Sequence, residues 1–258
     1  MSIVVSNKQK IHYELAGDKG PWMLLHPPHM IPMNAWKEGG YVKQLEEDFR
    51  LVLIEPLGQG YSDAPKDYSH YTISSRIRHV LDIMREVQAD YAYFLGMGLG
   101  AQVGFQMSKE FPRRIRSLIT AGAQPYQELE EAQFLKEKLD KLRSGNISAY
   151  LQQWHSLDHL TEGQEKVIQQ GDAEAYALGL EKSINWEGLG DDLQSLGTTT
   201  LLFTAKAESR FLSVRDAGKR MRYGRYMILP KVLYSHGLWS SELIIKPLLE
   251  FTRRDRSN

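Results

Sequence analysis

Short apolar runs alternate with longer amphipathic segments along the first half of the chain. Five runs have the length of buried strands, and the segment 72–88 repeats its apolar residues at helical spacing. Leu99, Val103 and Met107 recur every fourth residue and predict a second helix. Strands that alternate with helices favour a mostly parallel sheet covered by helices on both faces. The strands are predicted at 10–16, 22–25, 51–54, 91–95 and 115–120.

The pattern changes after Pro125. Residues 127–197 contain helix-like stretches and no convincing strand, and an all-helical block inside an α/β chain is interpreted as an inserted lid. We therefore expect an α/β core formed by residues 1–124 and 198–258 and a helical lid, or cap, formed by residues 125–197. The later core elements are predicted as strands at 199–204 and 226–229 and helices at 214–221 and 240–253.

Composition restricts the classes of function. Lys and Arg number 32 and Asp and Glu also number 32, so we expect no binding to nucleic acid or to an anionic membrane. The chain has no cysteine and no His-Glu-x-x-His motif, so neither a metal site nor a cofactor is expected. The first ten residues lack the apolar core of a secretory signal, and no run approaches about 18 apolar residues. These features predict a cytoplasmic protein and leave its oligomeric state open.

Five landmarks follow one another at regular places in this pattern. They are LLHPP at 24–28, EPLGQGYSD at 55–63, GMGLG at 96–100, Glu208 after a late strand and His236 after the last one. In order and spacing they resemble the α/β-hydrolase fold superfamily, which has a strand-end His-Gly segment, an acidic loop, a G-x-S-x-G nucleophile elbow, an acid and a histidine. The resemblance implies an α/β-hydrolase fold with an inserted helical lid.

The elbow departs from the family at its central residue. The family places a serine nucleophile there, whereas this chain has Gly98, which has no side chain with which to form an acyl-enzyme. Glycine tolerates the strained backbone of the turn, and Gly96 and Gly100 keep its neighbours small. The resemblance therefore implies that the turn is retained while the serine chemistry is lost.

A second departure concerns the oxyanion hole. The family uses the backbone N–H groups of two residues, which here correspond to Leu99 and Pro28, and proline has no N–H. One missing donor costs about 10²–10³ in rate. We therefore predict that conventional serine esterase activity is absent. Whether Gly98 is natural or engineered stays open.

Other polar residues of the landmarks allow more than one interpretation. His236 and Glu208 form a hydrogen-bonded general base in one interpretation and are inert in the other. His26 is interpreted as structural, whereas His29 either faces the pocket as a substitute donor or faces solvent. Ser235 is a weak candidate for a displaced nucleophile because it lacks the elbow.

The exposed N–H groups at the start of a helix suit a carbonyl or carboxylate oxygen. Together with the aromatic residues of the lid, they predict a pocket for a small, mostly apolar or aromatic ligand. For any single aromatic, ordinary lid or core packing is the favoured explanation. The predicted ligand contacts are Leu99, Gly100, Pro28, His29, Met97, Tyr126, Trp154, Trp186 and Trp239.

Three functions remain open. The first is a degenerate hydrolase that binds a small molecule without turnover. The second is an enzyme, hydrolase or lyase, in which His236 and Glu208 act as a general base. The third is a hydrolase with a displaced or mutated serine. Dinucleotide binding at the sequence GMGLGA is disfavoured, because the next strand, ending at 118–123, provides no acidic residue.

Overall fold

One sheet of eight strands forms the centre of the computed structural model. The model describes residues 2–126, 129–155, 160–206, 208–230 and 241–256. The strands are β1 (Ser2–Ser6), β2 (Gln9–Ala16), β3 (Trp22–His26), β4 (Arg50–Ile54), β5 (Ala92–Met97), β6 (Ile115–Ala121), β7 (Thr199–Ala205) and β8 (Gly224–Leu229).

The strand order in the sheet is β1-β2-β4-β3-β5-β6-β7-β8. The pairs β1–β2 and β2–β4 are antiparallel, and every other pair is parallel. The carboxyl ends of the six parallel strands therefore meet at one edge of the sheet, where loops bring together residues that are distant in sequence. This mostly parallel sheet is the architecture that the alternating pattern predicted.

Helices surround this sheet. In chain order they are α1 (Ala35–Glu38), α2 (Tyr41–Leu45), α3 (Ile73–Glu86), α4 (Leu99–Glu110), α5 (Leu129–Arg143), α6 (Ile147–His155), α7 (Glu162–Gln169), α8 (Ala173–Ile184), α9 (Phe211–Arg220) and α10 (Ser241–Arg256).

Successive side chains of the central strands enter two hydrophobic cores, one on each face of the sheet. In β3, Leu24 packs with α3, α4 and α9, whereas Met23 and Leu25 pack with α1, α2 and α10. Strand β5 repeats the arrangement with Phe94 on the first face and Leu95 on the second. Because both faces are covered, the strands appear in the sequence as continuous apolar runs rather than as alternating ones.

Four helices, α5 to α8, lie between β6 and β7. We call residues 125–197 the helical insert. Its side chains form a third hydrophobic cluster with one residue from the core, Met30. These helices interrupt the α/β pattern between β6 and β7. The division of the chain into a core and a lid stays a prediction.

Strand β1 and helices α1 and α2 have no counterpart among the predicted elements, whereas α10 corresponds to the helix predicted at 240–253. Strand β1 was not predicted, because Ile3 and Val5 are exposed and only Val4 and Ser6 are buried, which leaves a weak apolar signal. Helix α10 continues through Pro247, which lies in its second turn. Among the described helices, none has the length and apolar character needed to cross a bilayer.

Candidate functional site

Gly98 forms the turn between β5 and α4. Its backbone has φ 51° and ψ −117°, a combination that glycine adopts more readily than residues with a side chain. Its carbonyl accepts hydrogen bonds from the N–H groups of Ala101 (3.0 Å) and Gln102 (3.3 Å), which starts the helix without a side-chain cap. The turn therefore has the sharp strand-to-helix geometry of a nucleophile elbow, with no side chain at its tip.

The two glycines beside this turn are required by close packing. A Cβ atom on Gly96 would lie 2.6 Å from the carbonyl oxygen of Gly100. A Cβ atom on Gly100 would lie 2.2 Å from the carbonyl oxygen of His26. The prediction that small neighbours let the strand and the helix approach is confirmed at both positions.

The loop after β3 lies beside the elbow, because His26 pairs with Gly96 in neighbouring parallel strands. This places Pro28 near the start of α4, where the family has its second oxyanion donor. Pro28 has no N–H, and its carbonyl accepts a hydrogen bond from Ile31 (3.3 Å). The N–H groups that remain at this point are those of Leu99 and Gly100, in the first turn of α4, where no intrahelical acceptor is available.

His29 is buried against the helical insert. Its ring meets that of Tyr176 edge to face, with 6.2 Å between centroids, and a Cβ atom on Gly179 would lie 2.9 Å from its Cε1. Burial, with a further contribution from the charge of Arg76, lowers the pKa of His29 to about 3. The solvent-facing alternative for His29 is therefore wrong, and the ring is neutral at physiological pH.

Met30 joins the same loop to the insert. Its φ of 65° is positive and its side chain is buried in the third hydrophobic cluster, beside Tyr150, Tyr176 and Leu180. The loop that carries Pro28 and the helices of the insert are thus packed as one unit.

Glu208 lies just beyond the carboxyl end of β7. Its Oε2 accepts a hydrogen bond from Thr204 Oγ1 (3.1 Å), and burial raises the pKa of its carboxyl. The proposed partner, His236, lies outside the described residues, as do Trp239 and Ser235. The side chain of Trp154 is likewise outside the described part, so these positions stay predictions.

Three predicted ligand contacts pack against other parts of the protein. Met97 has no exposed surface and packs in the core, so its side chain does not line an open pocket. Trp186 stacks on Phe105 and donates from Nε1 to Gln106 (3.0 Å), two turns along α4 from the elbow. The hydroxyl of Tyr126 donates to the carbonyl of Ser213 (2.7 Å). Met97 and Trp186 are therefore corrected to core positions, since an aromatic or sulfur side chain looks the same in a sequence whether it packs in a core or in a pocket. A ligand contact at the half-buried Tyr126 stays a prediction.

The acidic landmark has a structural role. Glu55 Oε2 lies 2.7 Å from His12 Nδ1 and accepts a hydrogen bond from the N–H of Tyr61 (2.7 Å). The carboxylate fills the space beside Gly60, where a Cβ atom would lie 1.9 Å from Glu55 Oε1. The pair fixes the loop after β4 to strand β2.

Sequence reasoning missed a buried polar cluster around Arg76 and His79 of α3, which are 3% and 4% exposed. Arg76 lies between Ile73 and Val80 on the apolar stripe of an amphipathic helix. The helical periodicity assigns this position to the core. A charged residue there was the signal in the sequence that could have revealed the cluster.

Comparisons with known proteins agree with this geometry. A family model described as alpha/beta hydrolase fold matches residues 28–158. A putative 2-succinyl-6-hydroxy-2,4-cyclohexadiene-1-carboxylate synthase of Bacillus subtilis is 20% identical over 82% of this chain and 84% of its own length. A putative carbamate hydrolase of Serratia proteamaculans is 23% identical, but the match covers only 55% of this chain and 53% of that protein.

Among solved structures, an enol-lactonase from Burkholderia xenovorans LB400 superposes with a TM-score of 0.86 at 19% identity. The superposition covers 98% of this chain and 100% of the enol-lactonase. At this identity the likeness concerns the fold. With the family match over half of its length and the elbow in place between β5 and α4, the chain belongs to the α/β hydrolase fold family.

Proposed function

We propose that the protein binds a small, mostly apolar or aromatic molecule through a carbonyl or carboxylate group at the elbow, without turnover by a serine mechanism. The observation that carries this proposal is Gly98, which holds the elbow conformation and has no side chain. No acyl-enzyme forms at a residue without a nucleophilic atom.

The binding group is the first turn of α4. The N–H groups of Leu99 and Gly100 have no acceptor within the helix and lie at the positive end of its dipole. Gly98 itself is half-buried, so part of its backbone surface is accessible, whereas Leu99 and Gly100 are buried. A carbonyl or carboxylate oxygen is the ligand atom that such a helix start attracts.

We propose further that the helical insert, residues 125–197, acts as a lid over the core of residues 1–124 and 198–258. The contacts of Met30 and His29 with the insert support this, because they tie the lid to the loop beside the elbow. Lid closure excludes water and strengthens polar contacts to a bound ligand.

The named activities of similar proteins support the ligand class only by analogy of fold. An enol-lactonase and a putative carbamate hydrolase are named for substrates that contain a carbonyl group. A ligand with such a group is consistent with the N–H groups of the elbow.

A second function keeps part of the family's chemistry. In it, His236 acts as a general base that Glu208 orients, and an activated water or a proton abstraction replaces the serine. The position of Glu208 at the end of β7, hydrogen-bonded to Thr204, favours this alternative.

A serine-directed fluorophosphonate probe tests the main proposal. The natural protein and the Gly98→Ala variant should remain unlabelled, while Gly98→Ser should become labelled because the elbow then presents a hydroxyl. Gly98→Ala is the matched control, since it adds the same Cβ atom at the same backbone angles. Stable labelling of the natural protein would overturn the proposal.

Thermal unfolding with small esters, lactones and aromatic acids then separates the two functions. Stabilisation that survives His236→Ala, with no turnover in either protein, supports binding alone. Turnover that His236→Ala abolishes supports the general base.

A further inference from the structure

Arg76 of α3 is a charged residue in the interior. Its Nε donates to the carbonyl of Tyr71 (3.2 Å), and its Nη2 donates to the carbonyl of Gly179 in α8 (3.5 Å). Its Nη1 is buried and has no hydrogen-bond acceptor. Across the described ranges, no carboxylate forms a salt bridge with this guanidinium.

None of the described carboxylates therefore offsets the charge of Arg76, whose guanidinium carbon lies 6.0 Å from the centroid of the Tyr71 ring. Burial lowers the pKa of Arg76 to about 10, so the group is still a cation at neutral pH. Burial, supplemented by the charge of Arg76, lowers the pKa values of His26, His29 and His79 to about 3, 3 and 4. The three imidazoles are therefore neutral and add no further positive charge beside Arg76, and a buried unpaired charge is costly.

A small cavity adjoins this cluster. It is lined by His26, Arg76 and His79, and by apolar side chains of β2, β4, α3 and the loop after β4. Its volume of about 10 Å³ is close to that of one water-sized particle. Arg76 Nη1 and His79 Nε2 are both buried without a partner, whereas His26 Nδ1 is 3.1 Å from the Pro27 carbonyl.

We propose that this cavity binds one monoatomic halide ion, chloride in ordinary solution, held by Arg76 Nη1 and His79 Nε2. The guanidinium supplies the positive charge and one N–H, and the neutral imidazole supplies a second N–H in the tautomer that carries its proton on Nε2. A water molecule satisfies the same donors but leaves the charge unpaired. Polyatomic anions such as sulfate or gluconate exceed the available volume.

The position of the site gives the ion a structural role. Arg76 connects α3 with the carbonyl of Gly179 in the helical insert, and its neighbour His29 lies in the loop beside the elbow. An ion at Arg76 therefore stabilises the junction between the core and the insert. The proposed ion is held by Arg76 and His79 of α3 and not by the N–H groups of Leu99 and Gly100, so its test does not depend on ligand binding at the elbow.

The test compares thermal unfolding in sodium chloride, sodium bromide and sodium gluconate at one ionic strength. Chloride and bromide should raise the Tm in a saturable way, by about 3–6 °C at ten times the Kd. Arg76→Met should lose this halide-specific rise. Arg78→Met, which removes the same charge from an exposed position two residues away on α3, should keep it.

Crystals grown in sodium bromide provide a direct measurement, because bromide scatters anomalously. An anomalous peak within hydrogen-bond distance of Arg76 Nη1 and His79 Nε2 is the expected result. This measurement uses the natural protein, so it decides the question even if Arg76→Met does not fold. A cavity without a bromide peak, or a halide-specific rise that Arg76→Met retains, overturns the proposal.

Discussion

Gly100 lies where the first turn of α4 crosses the end of β3, and replacing it with alanine tests the packing of the elbow. The added Cβ atom would lie 2.2 Å from the carbonyl oxygen of His26 and 2.7 Å from its Nδ1. The carbonyl belongs to a strand that is paired with β4 and β5 on its two sides. No side-chain rotation moves that oxygen away, so the helix and the strand must separate.

The structure sets the size of the effect. Ordinary van der Waals contact begins at 3.4 Å, so the new atom requires a separation of about 1 Å. Overpacking of this kind costs about 1–3 kcal/mol, and alanine returns up to about 1 kcal/mol through its higher helix propensity. Because the clash is with backbone, we expect Gly100→Ala to lower the free energy of unfolding by about 2 kcal/mol. For a chain of this size the Tm then falls by about 4–8 °C.

Urea unfolding at constant pH measures this difference, with an unchanged m-value as evidence that the unfolding transition is comparable. Gly104→Ala is the matched control on the same helix. Its Cβ atom would lie 2.5 Å from Leu118 Cδ1 and 3.0 Å from the ring of Phe94, which are side-chain atoms able to move. We expect this variant to stay within about 1 kcal/mol of the natural protein. Equal stabilities of the two variants would refute the reasoning.

Two further predictions concern the oxyanion position and the buried histidines. Adding Pro28→Gly to Gly98→Ser restores a backbone N–H at position 28. The rate of fluorophosphonate labelling should then rise by about 10²–10³ relative to Gly98→Ser alone. Equal rates would show that the loop after β3 does not stabilise the oxyanion at the elbow. Because the folded-state pKa values of His26, His29 and His79 are about 3, 3 and 4, the unfolded state takes up more protons below pH 6.5. The free energy of unfolding, measured in urea, should therefore fall from pH 7 to pH 4. In His79→Gln it should fall less steeply. If the pH dependence of the free energy of unfolding is the same in that variant, the lowered pKa of His79 is contradicted.

The central fold was predictable because its strands are covered on both faces. Apolar runs such as 22–25 and 51–54 mark strands whose neighbours on both sides are helices, and the observed bounds differ by one residue at most at each end. Strand β1 was not predictable by the same rule, since one face of it is exposed. A strand at the edge of a sheet needs only one buried face, so its signal is shorter and weaker.

The candidate site was predictable where backbone geometry decides the residue type. Gly96 and Gly100 are required by contacts below 3 Å, and such positions leave a clear mark in a sequence. Side-chain environment was less predictable. The burial of His29 depends on Tyr176 and Gly179, which follow it by about 150 residues in the chain, so no local pattern indicates it.

The two departures from the family have different consequences for binding. Gly98 provides no nucleophile. The N–H groups of Leu99 and Gly100 are still present, because the backbone keeps the sharp strand-to-helix turn. The proline at position 28 removes a donor that matters most when negative charge develops on an oxygen in a transition state. A ground-state carbonyl or carboxylate needs fewer donors, and a helix start supplies them. Under the proposed function, the two departures thus cost more catalytic power than affinity, which is the balance that a ligand-binding member of a hydrolase family requires.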